Sequence, residues 1–106
     1  MGRALINVPK TARKGEIVEI RALVSHPMET GYRPTGDGRF HPRDIINRFV
    51  VTWNGEEIFS ADLFPAVSAN PYFAFSAVAT ESGTIAFRWI DDRGGAQVET
   101  AQIAVT

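Results

Sequence analysis

The spacing of the apolar side chains between Glu16 and Val24 restricts what the chain can fold into. From Val18 onward every second residue is apolar, whereas Glu19 and Arg21 fall between the apolar positions. A period of two residues is that of a β-strand with one buried face, because a helix repeats every three to four residues. The segment therefore predicts a half-buried strand of an antiparallel sheet.

The same alternation recurs along the chain and predicts a protein built from strands. We expect seven strands, over Arg3–Val8, Glu16–Val24, Ile45–Asn54, Glu57–Phe64, Tyr72–Thr80, Thr84–Asp91 and Ala96–Val105. Asn54-Gly55 and two further Gly-bearing connections are hairpin signals, while residues 10–15 are expected to form a basic turn. Seven strands joined in this way predict a single domain over residues 1–106. We expect this domain to be an immunoglobulin-like antiparallel β-sandwich with Trp53 in its core.

One long connection, residues 25–44, interrupts this pattern. It contains three prolines, three glycines, three arginines and both histidines, too broken a composition for a helix or a strand. Connections longer than about a dozen residues are uncommon in compact domains and are usually functional or disordered. We therefore expect any functional site to lie in this connection.

Composition excludes several classes of function. The 106 residues contain no cysteine, which excludes disulfides, thiolate metal sites and thiol nucleophiles. A net charge of −1 without a basic stripe gives no indication of nucleic-acid binding. No run approaches the roughly 20 apolar residues of a membrane helix. The N-terminal segment has no apolar stretch of signal-peptide length, so composition alone predicts a cytoplasmic protein.

Charge is distributed unevenly along the chain. Residues 1–53 carry nine Lys/Arg and five Asp/Glu, whereas residues 54–106 carry two and seven. The two halves of a sandwich interleave, so this asymmetry need not create two opposite faces. We interpret it as ordinary scattered surface charge.

The sequence gives little indication of a catalytic site. A Ser-His-Asp arrangement can be assembled only from scattered members: Ser25, Ser60, His26, His41, Asp37 and Asp44. No nucleophile elbow or other local signature accompanies them. We expect no catalytic residue, no cofactor and no enzymatic activity of the chain alone.

Metal binding is an alternative for the long connection. His26, Met28 and His41 lie within it, and imidazole together with thioether is a ligand set that suits copper. Their spacing matches no metal motif, and a further ligand is not evident. Histidine beside proline is also a common hydrogen-bonded turn residue, so both interpretations stay open.

A recognition surface is the other functional interpretation of the connection. Arginines recur every four to six residues from Arg33 to Arg48 around Tyr32 and Phe40, and Arg and Tyr dominate interface energetics. The competing interpretation is a solvated loop whose arginines bind its own backbone carbonyls. An exposed segment Leu63–Pro65 could extend the surface, although Phe64 could equally turn inward. The candidate docking residues are His26, Met28, Glu29, Tyr32, Arg33, Arg39, His41 and Arg43.

The chain resembles a known family, SoxZ of bacterial thiosulfate oxidation. The most specific match is Ser-His-Pro-Met-Glu-Thr-Gly at Ser25–Gly31, followed by Pro42–Ile46 and the strand and turn of Phe49–Gly55. Residues 3–9, 70–73 and 89–94 also fit. The resemblance thus covers essentially the whole chain.

This resemblance implies a division of labour between two subunits. The partner, SoxY, carries sulfur intermediates on a cysteine of a flexible C-terminal arm, whereas SoxZ is a second immunoglobulin-like domain without a carrier cysteine. It implies a non-catalytic subunit of a SoxYZ heterodimer on which the enzymes of thiosulfate oxidation dock. It also implies a periplasmic protein, exported with its partner.

Self-association and two other functions stay open beside this one. A surface that meets a homologous sandwich could pair with itself, so the isolated chain could be a homodimer. A small metal-binding sandwich, and a generic adhesion or substrate-binding module, are the remaining alternatives.

Overall fold

The computed structural model describes residues 2–106, which form two β-sheets packed against each other. Eight strands are present: β1 (Ala4–Asn7), β2 (Thr11–Ala12), β3 (Ile17–Val24), β4 (Ile46–Trp53), β5 (Glu56–Asp62), β6 (Tyr72–Val78), β7 (Gly83–Asp91) and β8 (Ala96–Val105). All seven predicted strands occur, with ends displaced by at most two residues. The predicted all-β, immunoglobulin-like sandwich is confirmed.

Each sheet is antiparallel except for one short pair. The smaller sheet has the order β1-β3-β6 and the larger sheet the order β2-β8-β7-β4-β5. β2, the eighth strand, lies within residues 10–15, where the sequence predicted only a turn. It pairs parallel to the end of β8, Thr11 with Ala104 and Ala12 with Val105. Two residues are too few to show a period of two, so this strand has no sequence signal.

Aromatic side chains fill the space between the sheets. Phe49 of β4 stacks on Phe73 of β6 at a ring separation of 4.4 Å and lies 5.2 Å from Trp89 of β7. Phe59 of β5 stacks on Phe75 at 4.4 Å. Trp53 is buried as predicted, and its indole N–H donates to the Glu81 carbonyl at 2.9 Å.

The segment after β5 corrects one prediction. Leu63 was expected to be exposed, but only 4% of it is accessible. It continues the inward positions of Phe59 and Ala61, and its N–H donates to the Asn47 carbonyl at 2.9 Å. Phe64 points the other way and is 64% exposed, so the inward alternative for this residue is wrong.

The molecule is longer than its sheets. It measures 60 × 20 × 20 Å, whereas a ten-residue strand spans only about 33 Å. The long connection between β3 and β4 accounts for the difference, because it projects from one end of the sandwich. Within residues 2–106 no helix is long and apolar enough to cross a membrane.

Candidate docking arm and its buried base

Residues 29–44 form a narrow projecting hairpin, which we call the arm. Two isolated antiparallel bridges join its sides, Glu29 with Asp44 at the base and Pro34 with Phe40 farther out. At the base, the Glu29 N–H donates to the Asp44 carbonyl at 2.9 Å, and the reverse bond measures 2.8 Å. The prediction that no regular strand forms in this connection is confirmed, but the connection is more ordered than its composition indicates.

Gly31 allows the two sides of the arm to approach each other. Its φ is +87°, in the region that favours glycine, and a Cβ at this position would lie 3.1 Å from the Arg43 Cβ. The positive φ and the close approach of Arg43 therefore explain why a glycine ends the Ser25–Gly31 motif.

The outer part of the arm carries exposed aromatic and basic side chains. Tyr32 is 76% exposed and Phe40 is 60% exposed. Between them, Asp37 accepts hydrogen bonds from the Thr35 hydroxyl and from the Arg39 N–H. These bonds lower the pKa of Asp37. The tip is thus held by its own hydrogen bonds, while its large side chains face outward.

The arginines of the arm differ in their environment. The Arg33 guanidinium binds Glu29, with Nε 3.0 Å from Oε1, and this bond lowers the pKa of Glu29. Arg43 binds Asp92 through Nε and Nη2, at 2.8 and 3.0 Å. The Arg39 guanidinium makes no hydrogen bond to residues 2–106. Two of the three arginines are therefore tied down, but by carboxylates rather than by the expected backbone carbonyls.

His26 and Met28 lie buried beneath the arm. His26 is only 4% exposed, and its backbone N–H donates to the Asn70 side-chain oxygen at 2.9 Å. Its ring Nδ1 accepts the Met28 N–H at 2.9 Å. The Met28 sulfur in turn accepts the Ile46 N–H at 3.3 Å. The His-Pro-Met sequence thus forms a compact buried turn, and the structure places these two candidate residues at the base rather than on the exposed surface.

A ring nitrogen of His26 and one carboxylate oxygen each of Asp44 and Asp91 lie within 4.8 Å of one another. Because Nδ1 accepts a backbone N–H, it carries no proton, so the neutral ring carries its proton on Nε2. Such a ring has no lone pair left for a metal ion. The cluster therefore does not fit a metal ion.

The proposed copper ligands His26, Met28 and His41 fit no better. The Nδ1 lone pair of His26 is used by the Met28 backbone N–H, and one lone pair of the Met28 sulfur is used by the Ile46 backbone N–H. His41 belongs to the arm itself, where its backbone N–H donates to the Arg33 carbonyl at 2.9 Å.

The two carboxylates beside His26 have defined partners. Asp44 Oδ2 lies 3.1 Å from the Arg93 guanidinium, while its Oδ1 is buried without a donor among residues 2–106. Asp91 Oδ1 accepts the backbone N–H groups of Arg93 and Gly95, at 3.0 and 2.7 Å, and so shapes the turn between β7 and β8.

Asp92 is the residue of the site that sequence reasoning missed. It accepts both Arg43 bonds, the Ile45 N–H at 3.1 Å and the Asn47 side-chain amide at 3.0 Å. The Arg43 guanidinium is the main reason that the pKa of Asp92 is lowered to about 2. No local sequence signal identifies it, because its partner Arg43 is 49 residues away in the chain.

Asp44 lies beside His26, but within residues 2–106 no serine hydroxyl is hydrogen-bonded to His26, so the conceivable Ser-His-Asp arrangement is not formed. Ser60 belongs to β5 and donates to Glu57 at 3.4 Å, and Asp37 lies at the tip of the arm. His26 accepts a backbone N–H at Nδ1 instead of being oriented there by a carboxylate.

Several solved structures share this fold. A superoxide reductase (neelaredoxin) from Ignicoccus hospitalis matches 97% of this chain and 80% of its own, at 16% identity and a TM-score of 0.75. A putative superoxide reductase from Thermotoga maritima matches 97% and 85%, at 19% identity and 0.73. The sulfur carrier protein SoxY from Chlorobium limicola f thiosulfatophilum matches 97% and 78%, at 14% identity and 0.67. At these identities the likeness concerns the fold.

Sequence comparison is more specific. No curated protein matches the chain at a significant level. The family model described as "Sulphur oxidation protein SoxZ" matches residues 6–102, nearly the entire chain, including the arm and its base. The chain therefore belongs to the SoxZ family and is a component of the Sox sulfur-oxidation system.

Proposed function

We propose that this chain is the non-catalytic subunit of a periplasmic sulfur-carrier complex. Its partner is a SoxY-type chain whose cysteine carries the sulfur intermediate, and the complex presents that intermediate to the enzymes that oxidise thiosulfate and other reduced sulfur compounds. Family membership supports the system, and the absence of cysteine from all 106 residues agrees with a subunit that carries no sulfur itself.

The main support for the docking role is that the outer part of the arm exposes large side chains. Tyr32 and Phe40 expose most of their surface, and the Arg39 guanidinium has no hydrogen-bonding partner among the described residues. Aromatic and arginine side chains contribute most to binding energy at protein interfaces. Their presence on a projecting hairpin fits a surface that contacts another protein.

The base of the arm supports this role by fixing the tip in space. Arg43 and Asp92 form a two-bond ion pair, Arg33 binds Glu29, and His26 is buried beneath both. A surface that is already ordered loses less conformational entropy when it binds. Glu29, Arg33, Arg43, His26 and Met28 thus position the arm, while Tyr32, Arg39 and Phe40 provide the contacts.

The test replaces the contacts and leaves the base intact. We expect Tyr32→Ala, Arg39→Ala and Phe40→Ala together to lower thiosulfate turnover at least about tenfold in the reconstituted system, the size of effect found for interface anchors. The matched control is Arg88→Ala with Val98→Ala, an exposed pair on the outer face of the larger sheet. This control should keep full turnover.

Assembly with the SoxY-type partner is measured in the same preparations by size-exclusion chromatography with light scattering. Lost assembly would locate the arm at the interface between the two subunits, and lost turnover with normal assembly would locate it at the enzyme contacts. Unchanged assembly and unchanged turnover in the triple variant would contradict the docking role.

The periplasmic location is tested by cell fractionation. We expect the chain in the periplasmic extract when it is produced together with its SoxY-type partner. A chain found in the cytoplasm under these conditions would contradict the periplasmic location.

A further inference from the structure

The open strand edges of the sandwich differ in how well they are protected against pairing. They belong to β1, β2, β5 and β6, and to residues 96–103 of β8, because β2 pairs only with Ala104 and Val105 of that strand. An edge strand exposes unpaired N–H and C=O groups, and proteins normally protect it by shortness, charge, proline or a bulge. β1 and β2 have only four and two residues, and the open part of β8 carries the charged Glu99. β5 carries three acidic residues and a register shift against β4: Glu56, Glu57 and Asp62.

β6 has none of these protections. It is seven residues long, reads Tyr-Phe-Ala-Phe-Ser-Ala-Val, and contains no charged residue and no proline. It pairs with β3 without a register shift over its whole length and has no strand on its other side. Its outward residues, from Tyr72 to Val78, are all exposed. An uncharged edge strand of this length without a bulge is suited to pairing with another strand.

The sequence of β6 complements itself. In an antiparallel pair centred on Phe75, Tyr72 lies opposite Val78 and Ala74 lies opposite Ser76 of the second copy. Outward residues then meet outward residues and inward residues meet inward residues, as the pleat requires. No like charges are opposed, and all seven residues pair. A centre shifted by one residue toward either end would leave residues unpaired at both ends.

The inward side of this pairing is also favourable. Phe75 already stacks on Phe59 at 4.4 Å, and both rings lie only partly buried at this edge of the core. Pairing centred on Phe75 would bring the Phe75 side chains of the two copies next to each other. The aromatic stack of each core would then continue across the boundary.

We propose that β6 is an interaction surface at which a second copy of this chain adds to the smaller sheet. The two three-stranded sheets then form one continuous six-stranded sheet, related by a two-fold axis through Phe75. This inference rests on the composition and register of β6, and it does not depend on the proposed carrier function.

The test combines self-association with the predicted register, using the full chain. Sedimentation equilibrium should show a weak dimer, with a dissociation constant on the order of 10–100 µM, because a single strand pair buries less than a standard interface. Ala74→Lys with Ser76→Lys places lysines directly opposite each other and should weaken the dimer at least about tenfold. Ala74→Lys with Ser76→Glu places Lys opposite Glu and should restore it.

The matched control carries two lysines with the same spacing on another strand. Val98→Lys with Thr100→Lys lies on the exposed side of β8 and should leave the dimer unchanged. Circular dichroism and thermal unfolding establish that every variant is folded. Hydrogen exchange on the unmodified chain adds an independent measurement, because the amides of β6 should become protected as the protein concentration rises.

Three results would overturn the inference. One is a chain that stays monomeric at several hundred micromolar. The second is a dimer that the lysine pair in β6 leaves intact while the pair in β8 disrupts it. The third is a folded Lys–Glu variant that dimerises no better than the Lys–Lys variant, which would exclude the predicted register.

Discussion

The ion pair between Asp92 and Arg43 should make the stability of this protein dependent on pH in the acid range. Asp92 accepts four hydrogen bonds that join the turn after β7 to the arm and to the start of β4. Asp92→Asn keeps the size of the side chain but removes its charge, and the amide nitrogen cannot accept the bonds that the second carboxylate oxygen accepts.

The size of the effect follows from the pKa of Asp92. Folding lowers this pKa from 3.8 to about 2, and one unit corresponds to about 1.4 kcal/mol. The ionised carboxylate therefore contributes about 2 kcal/mol to the free energy of unfolding. The side chain is 15% exposed, so solvent screens it only in part. Because the folded pKa is the lower one, this contribution is complete above pH 3.8 and is lost as the pH falls toward 2.

Urea unfolding followed by tryptophan fluorescence measures this contribution. At pH 7, Asp92→Asn should unfold with a free energy about 2 kcal/mol below that of the unmodified chain, and the difference should shrink to about half at pH 3. Asp62→Asn is the control, because its pair with Arg48 is 64% exposed on the Asp62 side and such pairs contribute little. An equal loss at pH 7 and pH 3 would show that the charge of Asp92 is not the cause.

Two further predictions concern burial. Leu63→Ala should lower the free energy of unfolding by about 2–5 kcal/mol, whereas Phe64→Ala should change it by less than about 0.5 kcal/mol. Urea unfolding tests both, and equal losses would contradict the assigned orientation of this segment. His26→Ala should cost about 1–3 kcal/mol because it leaves the Met28 N–H buried without an acceptor, while His41→Ala on the arm should cost less. Thermal unfolding compares the two histidines, and a larger loss for His41 would refute the assignment of His26 to the buried base.

The strands were predictable because one face of each is buried. Burial forces a period of two, and that period is visible in single residues such as Val18, Ile20 and Phe49. Asn54-Gly55 was predictable for a different reason. A two-residue hairpin of type I′ needs positive φ at both positions, and these residues show φ of +51° and +84°.

The interior of the arm could not be predicted in the same way. Its order comes from single long-range contacts, such as Arg43 with Asp92, which are 49 residues apart. A local pattern contains no information about such a pair. Leu63 was misassigned for a related reason, because a short segment between a strand and a proline offers too few residues to establish which side faces inward.

The role of the two histidines also needed the structure. In the sequence they look equivalent, since each precedes a proline in the same connection. In the folded chain one is buried and accepts a backbone N–H, while the other belongs to the projecting arm. Only the hydrogen bond at Nδ1 fixes where the proton of His26 lies, and that proton decides against a metal site.

The position of the base links the arm to both sheets. His26 lies two residues after the end of β3 in the smaller sheet. Ile45 directly precedes β4 and Asp92 directly follows β7, and both of these strands belong to the larger sheet. A change at the base should therefore affect the stability of the sandwich and the orientation of the arm together. A change at Tyr32, Arg39 or Phe40 removes contacts that no other part of the chain uses. If the arm docks a partner, variants of Tyr32, Arg39 or Phe40 should lose binding and keep their full stability. Asp92→Asn should lose both binding and stability.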